Sequence, residues 1–237
     1  MGKYYEAYEE RYQAVAKAGI PLWGHSEENE ILLKVLSEWV ENNHLTGKKI
    51  LDFACGEASA GIILSRLGCQ YIGVDISETV VQKARDRLRP FPHAQILQLD
   101  MTKESPAGIF DAALDCSGFH MLVTDEDRMN YLRNAHQCLA PHAPYLFLDI
   151  SYQDPEIPGP IDSIEQWASL MNQNYETPEK RTLGDHEVYL RTLPARGRSR
   201  EGYESELNRA GFAMDSCVIS NRIGGIPSGC IIYAHKI

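Results

Sequence analysis

Apolar positions along the chain follow two rhythms. Ile31, Val35 and Trp39, with Leu32, Leu36 and Val40, recur at helical spacing, which predicts a helix over 27–42 with Ser26 as its N-cap. Residues 3–18 read as helical too. After the turn at Thr46 and Gly47 the apolar runs shorten and alternate with helical stretches. KKILDFA, QYIGVD, AQILQLD, FDAALDC and YLFLDI read as buried strands. Between them lie helices over 58–67, over 77–88 capped by Ser77, and up to Leu139 from a capping box of Thr124 and Asp127. Strands apolar on both faces that alternate with helices imply a mostly parallel, doubly wound α/β sheet covered on both sides.

The rhythm breaks between Ser151 and Arg198. DPEIPGP reads as a connector, 163–172 as a short helix, and KRTLGDHEVYLRTL as a hairpin around Gly184 and Asp185. A helix capped by Ser199 and ended by Gly211 follows, then FAMDSCVIS and CIIYAHKI. These last two are separated only by GGIPSG, too little for a helical crossover, so they are expected to pair antiparallel. The division that results is a helical cap over 1–46, a core over 47–150 and 199–237, and an inserted lid or substrate-recognition segment over 151–198.

With 237 residues, one domain with embellishments is expected. The charged, tyrosine-rich start is unlike a signal peptide, and no apolar run approaches the roughly 20 residues that span a bilayer, so a cytoplasmic protein with no membrane partner is expected. The six cysteines lack C-x-x-C spacing, which argues against a zinc site or a disulfide framework. A formal charge of -10 disfavours nucleic acid. The basic run with Arg196, Arg198 and Arg200 reads as a solvated loop.

In open α/β sheets ligands bind beyond the carboxyl ends of the strands, where strand order reverses. The turn after the first strand carries small residues at Ala54, Gly56 and Ala58, which lets a ligand approach the backbone. Asp75, ending the second strand, is suited to two ribose hydroxyls, because a carboxylate accepts two hydrogen bonds. An adenosine-containing cofactor follows. A dinucleotide would need G-x-G-x-x-G for its pyrophosphate, but positions 54, 56 and 59 are Ala, Gly and Ser. Asp52 and Glu57 would also repel a dianion and suit a ligand with an ammonium and a sulfonium.

ILDFACGEASA, GVDIS, LQLDM and FDAALDCSGFHML, in this order and spacing, resemble the motifs of the class I S-adenosylmethionine-dependent methyltransferases. The resemblance covers 48–150 well and 199–237 loosely. It implies a Rossmann-like sheet of seven strands with an antiparallel C-terminal pair, and S-adenosylmethionine as cofactor. It places Asp52, Ala54, Cys55 and Gly56 at the methionine end, Asp75 and Ile76 at the ribose, Asp100 and Met101 at the adenine, and Asp115 and Cys116 beside the cofactor. Ala54 and Ala58 stand where the family has glycine, and Pro141, His142 and Ala143 replace its Pro-Gly-Gly.

His120, after the fourth strand, is the expected base if the acceptor arrives protonated. His136 and His142, at a helix end, suit structural roles. Tyr4, Tyr8 and Tyr12 share a helical face. Tyr5 and Tyr12, with Trp23 and His25, are candidates for the cofactor entrance, where aromatic faces attract a cation. Cys116 lacks the preceding proline of cytosine-modifying enzymes, and DCSG replaces the signature of adenine-amino methylases. A small-molecule O or N acceptor is therefore expected, with the oligomeric state open. The alternatives are a nicotinamide-dependent oxidoreductase on the shared fold, or a noncatalytic cofactor-binding module whose insertion, with Trp167, Tyr175 and Tyr189, meets a partner.

Overall fold

The computed structural model describes residues 4–183, 185–220 and 228–237. Five strands lie parallel: β1 (Lys49–Phe53), β2 (Gln70–Asp75), β3 (Ala94–Gln98), β4 (Ala112–Cys116) and β5 (Pro144–Ser151). Strands β8 (Phe212–Ser220) and β9 (Gly229–Lys236) pair antiparallel, and β9 joins the sheet antiparallel to β5. The order β3-β2-β1-β4-β5-β9-β8 is the seven-stranded Rossmann-like sheet expected. It reverses direction of growth at β1, so the crevice for a ligand opens where β1 and β4 end.

Alternation along β1 explains why both faces are covered. Leu51 and Phe53 pack into an aromatic-rich face with Phe119, Tyr131, Tyr145, Phe147 and Phe212, beneath helices α5 (Asp125–Cys138) and α7 (Arg200–Arg209). Ile50 points into the aliphatic face with Leu114, Leu146 and Leu148, covered by α2 (Glu30–Asn42), α3 (Ser59–Arg66) and α4 (Glu78–Leu88). Each large apolar side chain removed from water contributes roughly 1.5–3 kcal/mol. Helix α3 approaches β2 so closely that a Cβ on Gly61 would lie 2.5 Å from the Tyr71 ring, so a side chain there would push the helix off the sheet.

The N-terminal segment is a 3-10 turn (Tyr4–Glu6) running into α1 (Ala7–Lys17). Helix α2 starts later than its periodicity predicts. Its cap is Asn29, whose side chain accepts from the amides of Ile31 and Leu32 at 3.0 Å, rather than Ser26. The other predicted caps hold: Ser77, Thr124 and Ser199 each accept an amide in the first turn.

The insertion contains α6 (Ile164–Met171), capped by Ser163, and the antiparallel hairpin of β6 (Glu179–Leu183) and β7 (His186–Leu190). Gly184, one of the two residues around which the hairpin was expected, and 221–227, which include most of the expected GGIPSG turn, lie outside the described residues. Trp167, which the noncatalytic alternative would set on an interaction surface, is fully buried against Val123 and Ile161, while Tyr189 is exposed. Arg196 also departs from expectation. It is buried, donating from Nη1 to the Val123 carbonyl at 2.7 Å and to Asp125 Oδ1 at 2.5 Å, and its amide donates to the His120 carbonyl at 2.7 Å. A loop in solvent would have no such partners; here it ties the insertion to the segment after β4. Among the described residues no helix is long and apolar enough to cross a membrane.

Candidate cofactor and acceptor site

A cavity of about 580 Å³ opens at the carboxyl ends of β1, β2 and β4 and beneath α1. Its floor is built by the strand ends. The chain turns at Ala54, Gly56 and Ala58, all with left-handed φ of 52°, 53° and 59°. The two alanines thus adopt a conformation that costs a side-chain-bearing residue roughly 1–2 kcal/mol. The turn geometry survives the loss of two glycines, and Ala54 and Gly56 both line the cavity.

Two carboxylates stand at this turn. Asp75 accepts the Gly56 amide on Oδ2 at 2.9 Å and the Ser77 amide on Oδ1 at 3.0 Å. Burial pushes its carboxyl up to about 6, although those amides favour the charged form. Asp52 accepts the Tyr71 hydroxyl on Oδ2 at 2.6 Å, while its buried Oδ1 has no hydrogen-bond partner among the described residues. Burial, with Asp115 and Asp75 nearby, drives the Asp52 carboxyl well up. A cation beside it would reverse that shift and satisfy Oδ1.

Glu57 departs from its expected role. Its Oε2 accepts the amides of Trp23 and Gly24 at 2.8 Å each, and its Oε1 pairs with Lys83. The charge is balanced within the protein, so Glu57 fastens the 23–25 loop to the floor, and the attraction for a cationic ligand falls to Asp52 and Asp75. Placed beside the N-terminus of α3, the same carboxylate stands where a dinucleotide would set its pyrophosphate.

The adenine-side segment is held from above. Asp100 accepts from Thr102 Oγ1 at 2.7 Å, Lys103 Nζ at 2.7 Å and Tyr5 Oη at 3.1 Å, and Tyr5 and Thr102 share a 2.7 Å hydrogen bond. Burial raises the Asp100 carboxyl, but the bonds from Lys103 and Thr102 outweigh it and hold it below its ordinary range. Tyr5, Tyr12, Trp23, His25, Cys55, Ile76, Met101 and Cys116 all line the cavity, as do Tyr8 and Arg11. The Arg11 guanidinium lies 4.6 Å over the Trp23 ring, which in turn meets Tyr12 edge-on.

Two expected site residues lie elsewhere. Asp115 sits beneath the cavity, accepting the Gly118 and Phe119 amides at 2.9 and 3.0 Å and the Tyr131 hydroxyl, so it shapes the loop after β4. His120 is fully buried in the 3-10 turn Phe119–Met121 and does not line the cavity. The turn rotates its side chain into the protein, which removes it from the position of a base. The histidine that does line the cavity is His25, whose Nε2 lies 3.1 Å from Asp149 Oδ2. Burial pushes the Cys116 thiol well up, which suits a small cavity wall and disfavours a thiolate nucleophile.

Sequence reasoning did not single out Glu9, Arg11, Ser117 or Asp149. Asp149 had a signal, an acid at the end of a predicted strand, like Asp75. Glu9 had none, because its partners Ser77 and Thr79 are distant in sequence.

Residues 50–142 match the family model described as a methyltransferase domain. Over this stretch the chain is similar to that family. Its matched stretch runs from β1 to the turn before β5, and so includes the whole floor of the cavity. The chain is 27% identical over 138 residues to the putative methyltransferase YqeM of Bacillus subtilis (strain 168), covering 57% of this chain and 54% of the relative. It is 33% identical over 73 residues to the ribosomal protein L11 methyltransferase of Serratia proteamaculans (strain 568), covering 30% and 25%. The matches thus span about half of the first relative and a quarter of the second. In fold, it is similar to the Burkholderia thailandensis 1,6-didemethyltoxoflavin-N1-methyltransferase with bound 1,6-didemethyltoxoflavin and S-adenosylhomocysteine, with a TM-score of 0.67 and 13% identity, covering 98% of this chain and 88% of that one. The sheet and the helices that flank it share the fold of that structure.

Proposed function

We propose that the protein is an S-adenosylmethionine-dependent methyltransferase that acts on a small-molecule oxygen or nitrogen acceptor. The observation that carries this reading is the buried, unpaired Oδ1 of Asp52, at the wall of a cavity whose floor also bears Asp75 and a bare, left-handed turn. The donor set fits the cofactor: Asp52 faces a cationic amino-acid end, Asp75 suits ribose hydroxyls, and Ile76 and Met101 offer apolar walls to a base.

When bound, S-adenosylmethionine supplies a methyl group on positively charged sulfur. The protein's own residues bind, orient and keep water out. Holding acceptor and methyl group in line contributes about 7–11 kcal/mol when the geometry is right. The aromatic wall of Tyr12 and Trp23 limits water at the mouth and presents electron-rich faces to a cation. A roof over the cavity, formed by α1, the 23–25 loop and Leu193 and Ala195, supports an acceptor of modest size.

Calorimetry with S-adenosylhomocysteine and with NAD tests the cofactor. Binding of the former alone is expected, and tight NAD binding with no response to S-adenosylhomocysteine would refute the reading. Incubation with methyl-labelled S-adenosylmethionine and a metabolite extract, followed by mass identification of labelled products, tests catalysis.

A further inference from the structure

The cavity has a second cluster of polar groups, away from Asp52 and Asp75, that cofactor binding does not explain. Asp149 lies on β5 where the pairing with β9 shifts register between Phe147 and Ile150, an irregularity that re-aims a side chain. It holds a left-handed φ of 54°, and Ser117, on the neighbouring strand end, one of 66°. Two non-glycine residues in this region on adjacent strand ends is a local cost that a purely structural role does not require.

Both side chains converge on His25. The Asp149 Oδ2 atom lies 3.1 Å from His25 Nε2 and accepts the Ser117 hydroxyl at 3.1 Å, and Ser117 Oγ lies 3.4 Å from the same Nε2. The 23–25 loop that carries His25 is itself anchored: Ser59 Oγ donates to the His25 carbonyl, and Glu57 holds the two preceding amides. The ring's second nitrogen, Nδ1, takes part in neither contact, and the side chain keeps about a quarter of its surface accessible. A carboxylate on one imidazole nitrogen fixes the tautomer that leaves the other with a lone pair.

We propose that His25, oriented by Asp149, is the proton acceptor of the methyl transfer, and that the acceptor molecule presents a hydroxyl or a heterocyclic N–H whose proton must leave. This rests on the methyltransferase reading. The proton passes from the acceptor's oxygen or nitrogen to His25 Nδ1. The electron pair so freed forms the bond to the methyl carbon, and the carbon–sulfur bond breaks with its pair left on the now neutral sulfur. Asp149 stabilises the imidazolium until its proton passes to solvent. Other charged and titratable groups around His25 are Cys116, Asp115 and Asp52 at the strand ends, Glu57 with its partner Lys83, Arg87 on Ser59, and Arg11 and Tyr12 on α1.

The test has two readouts. Long-range proton–nitrogen NMR of the imidazoles, with His25→Gln to assign the signal, is expected to show neutral His25 protonated on Nε2. In Asp149→Ala that tautomer preference should weaken, with Nδ1-protonated imidazole appearing, because the carboxylate that accepts from Nε2 is gone. Transfer of labelled methyl from S-adenosylmethionine into a metabolite extract is expected to rise from pH 5.5 to a plateau. His25→Gln should lower the initial rate about a hundredfold, the usual scale for a lost base, and remove that limb of the profile. Its affinity for S-adenosylhomocysteine should change less than threefold. A tenfold loss of that affinity with an unaltered pH profile would overturn the proposal and assign the pair to the cofactor's methionine end. Protonation on Nδ1 in the wild type, or an unaltered tautomer in Asp149→Ala, would overturn it as well. Failure of the wild-type protein to bind S-adenosylhomocysteine would instead sink the methyltransferase reading itself.

Discussion

The floor and the roof of the cavity are built by different means. On the floor, Asp75 accepts amides from Gly56, 19 residues away, and from Ser77, two residues away, so backbone geometry set by strand ends positions the chemistry. On the roof, α1 is held by side chains that reach far along the chain. Glu9 accepts from Ser77 Oγ at 2.6 Å and from Thr79 Oγ1 at 2.5 Å, and Tyr5 meets Thr102 at 2.7 Å, 97 residues away. A strand-end floor is rigid and common to the fold, whereas a roof fastened by a few side-chain pairs opens locally at small cost and is free to diverge.

The largest expected effect tests the floor. Asp75→Ala should weaken S-adenosylhomocysteine binding well over tenfold by calorimetry. In the wild type, affinity should fall as pH drops through about 6, because Asp75 takes up a proton there and accepts less well. The variant should lose that component, and unchanged affinity would remove Asp75 from the site.

Asp115 sharpens the contrast from beneath the floor. Burial raises its carboxyl to about 6, above the 3.8 of the unfolded chain. The sign follows: its contribution favours the fold in acid and is lost as pH rises through about 6. Asp115→Asn keeps the acceptor for Gly118 and Phe119. It should therefore stabilise the protein by about 2–3 kcal/mol at pH 7.5, with the gain vanishing near pH 4, as followed by thermal denaturation. Destabilisation at pH 7.5 would show that the charge itself is needed.

Loosening the roof should cost less. Glu9 sits at the N-terminus of α4, where its carboxylate satisfies the Thr79 amide at 3.1 Å as well as two hydroxyls. Glu9→Ala should lower stability by about 1 kcal/mol. It should also increase proteolytic cleavage near α1 in the free protein, and addition of S-adenosylhomocysteine should suppress that cleavage. The smallest effect is Ala58→Gly, which relieves a left-handed alanine but gains freedom in the unfolded chain. A net stabilisation of about 0.5–1 kcal/mol by thermal denaturation is expected.

What the sequence disclosed follows the same division. Strands β1 to β5, their helices and the cavity floor rest on periodicity and caps within a few residues of each other, and these could be read directly. The roof residues Glu9 and Arg11, and Asp149 on β5, depend on partners brought together only by the fold. His120 illustrates the limit: its place after β4 was right, but the direction of its side chain is set by the 3-10 turn and by Arg196, which holds its carbonyl. The arginine run itself looked solvated because nothing local announces the Val123 carbonyl or Asp125 as partners.

Arg196 carries a consequence for how this chain can diverge. Because one side chain and its own amide clamp the insertion's return to the loop beyond β4, the two segments form a single module. Exchanging 151–198 with a relative's, while leaving that loop behind, would strip the buried Val123 carbonyl of its donor, so the two pieces diverge most cheaply when inherited together.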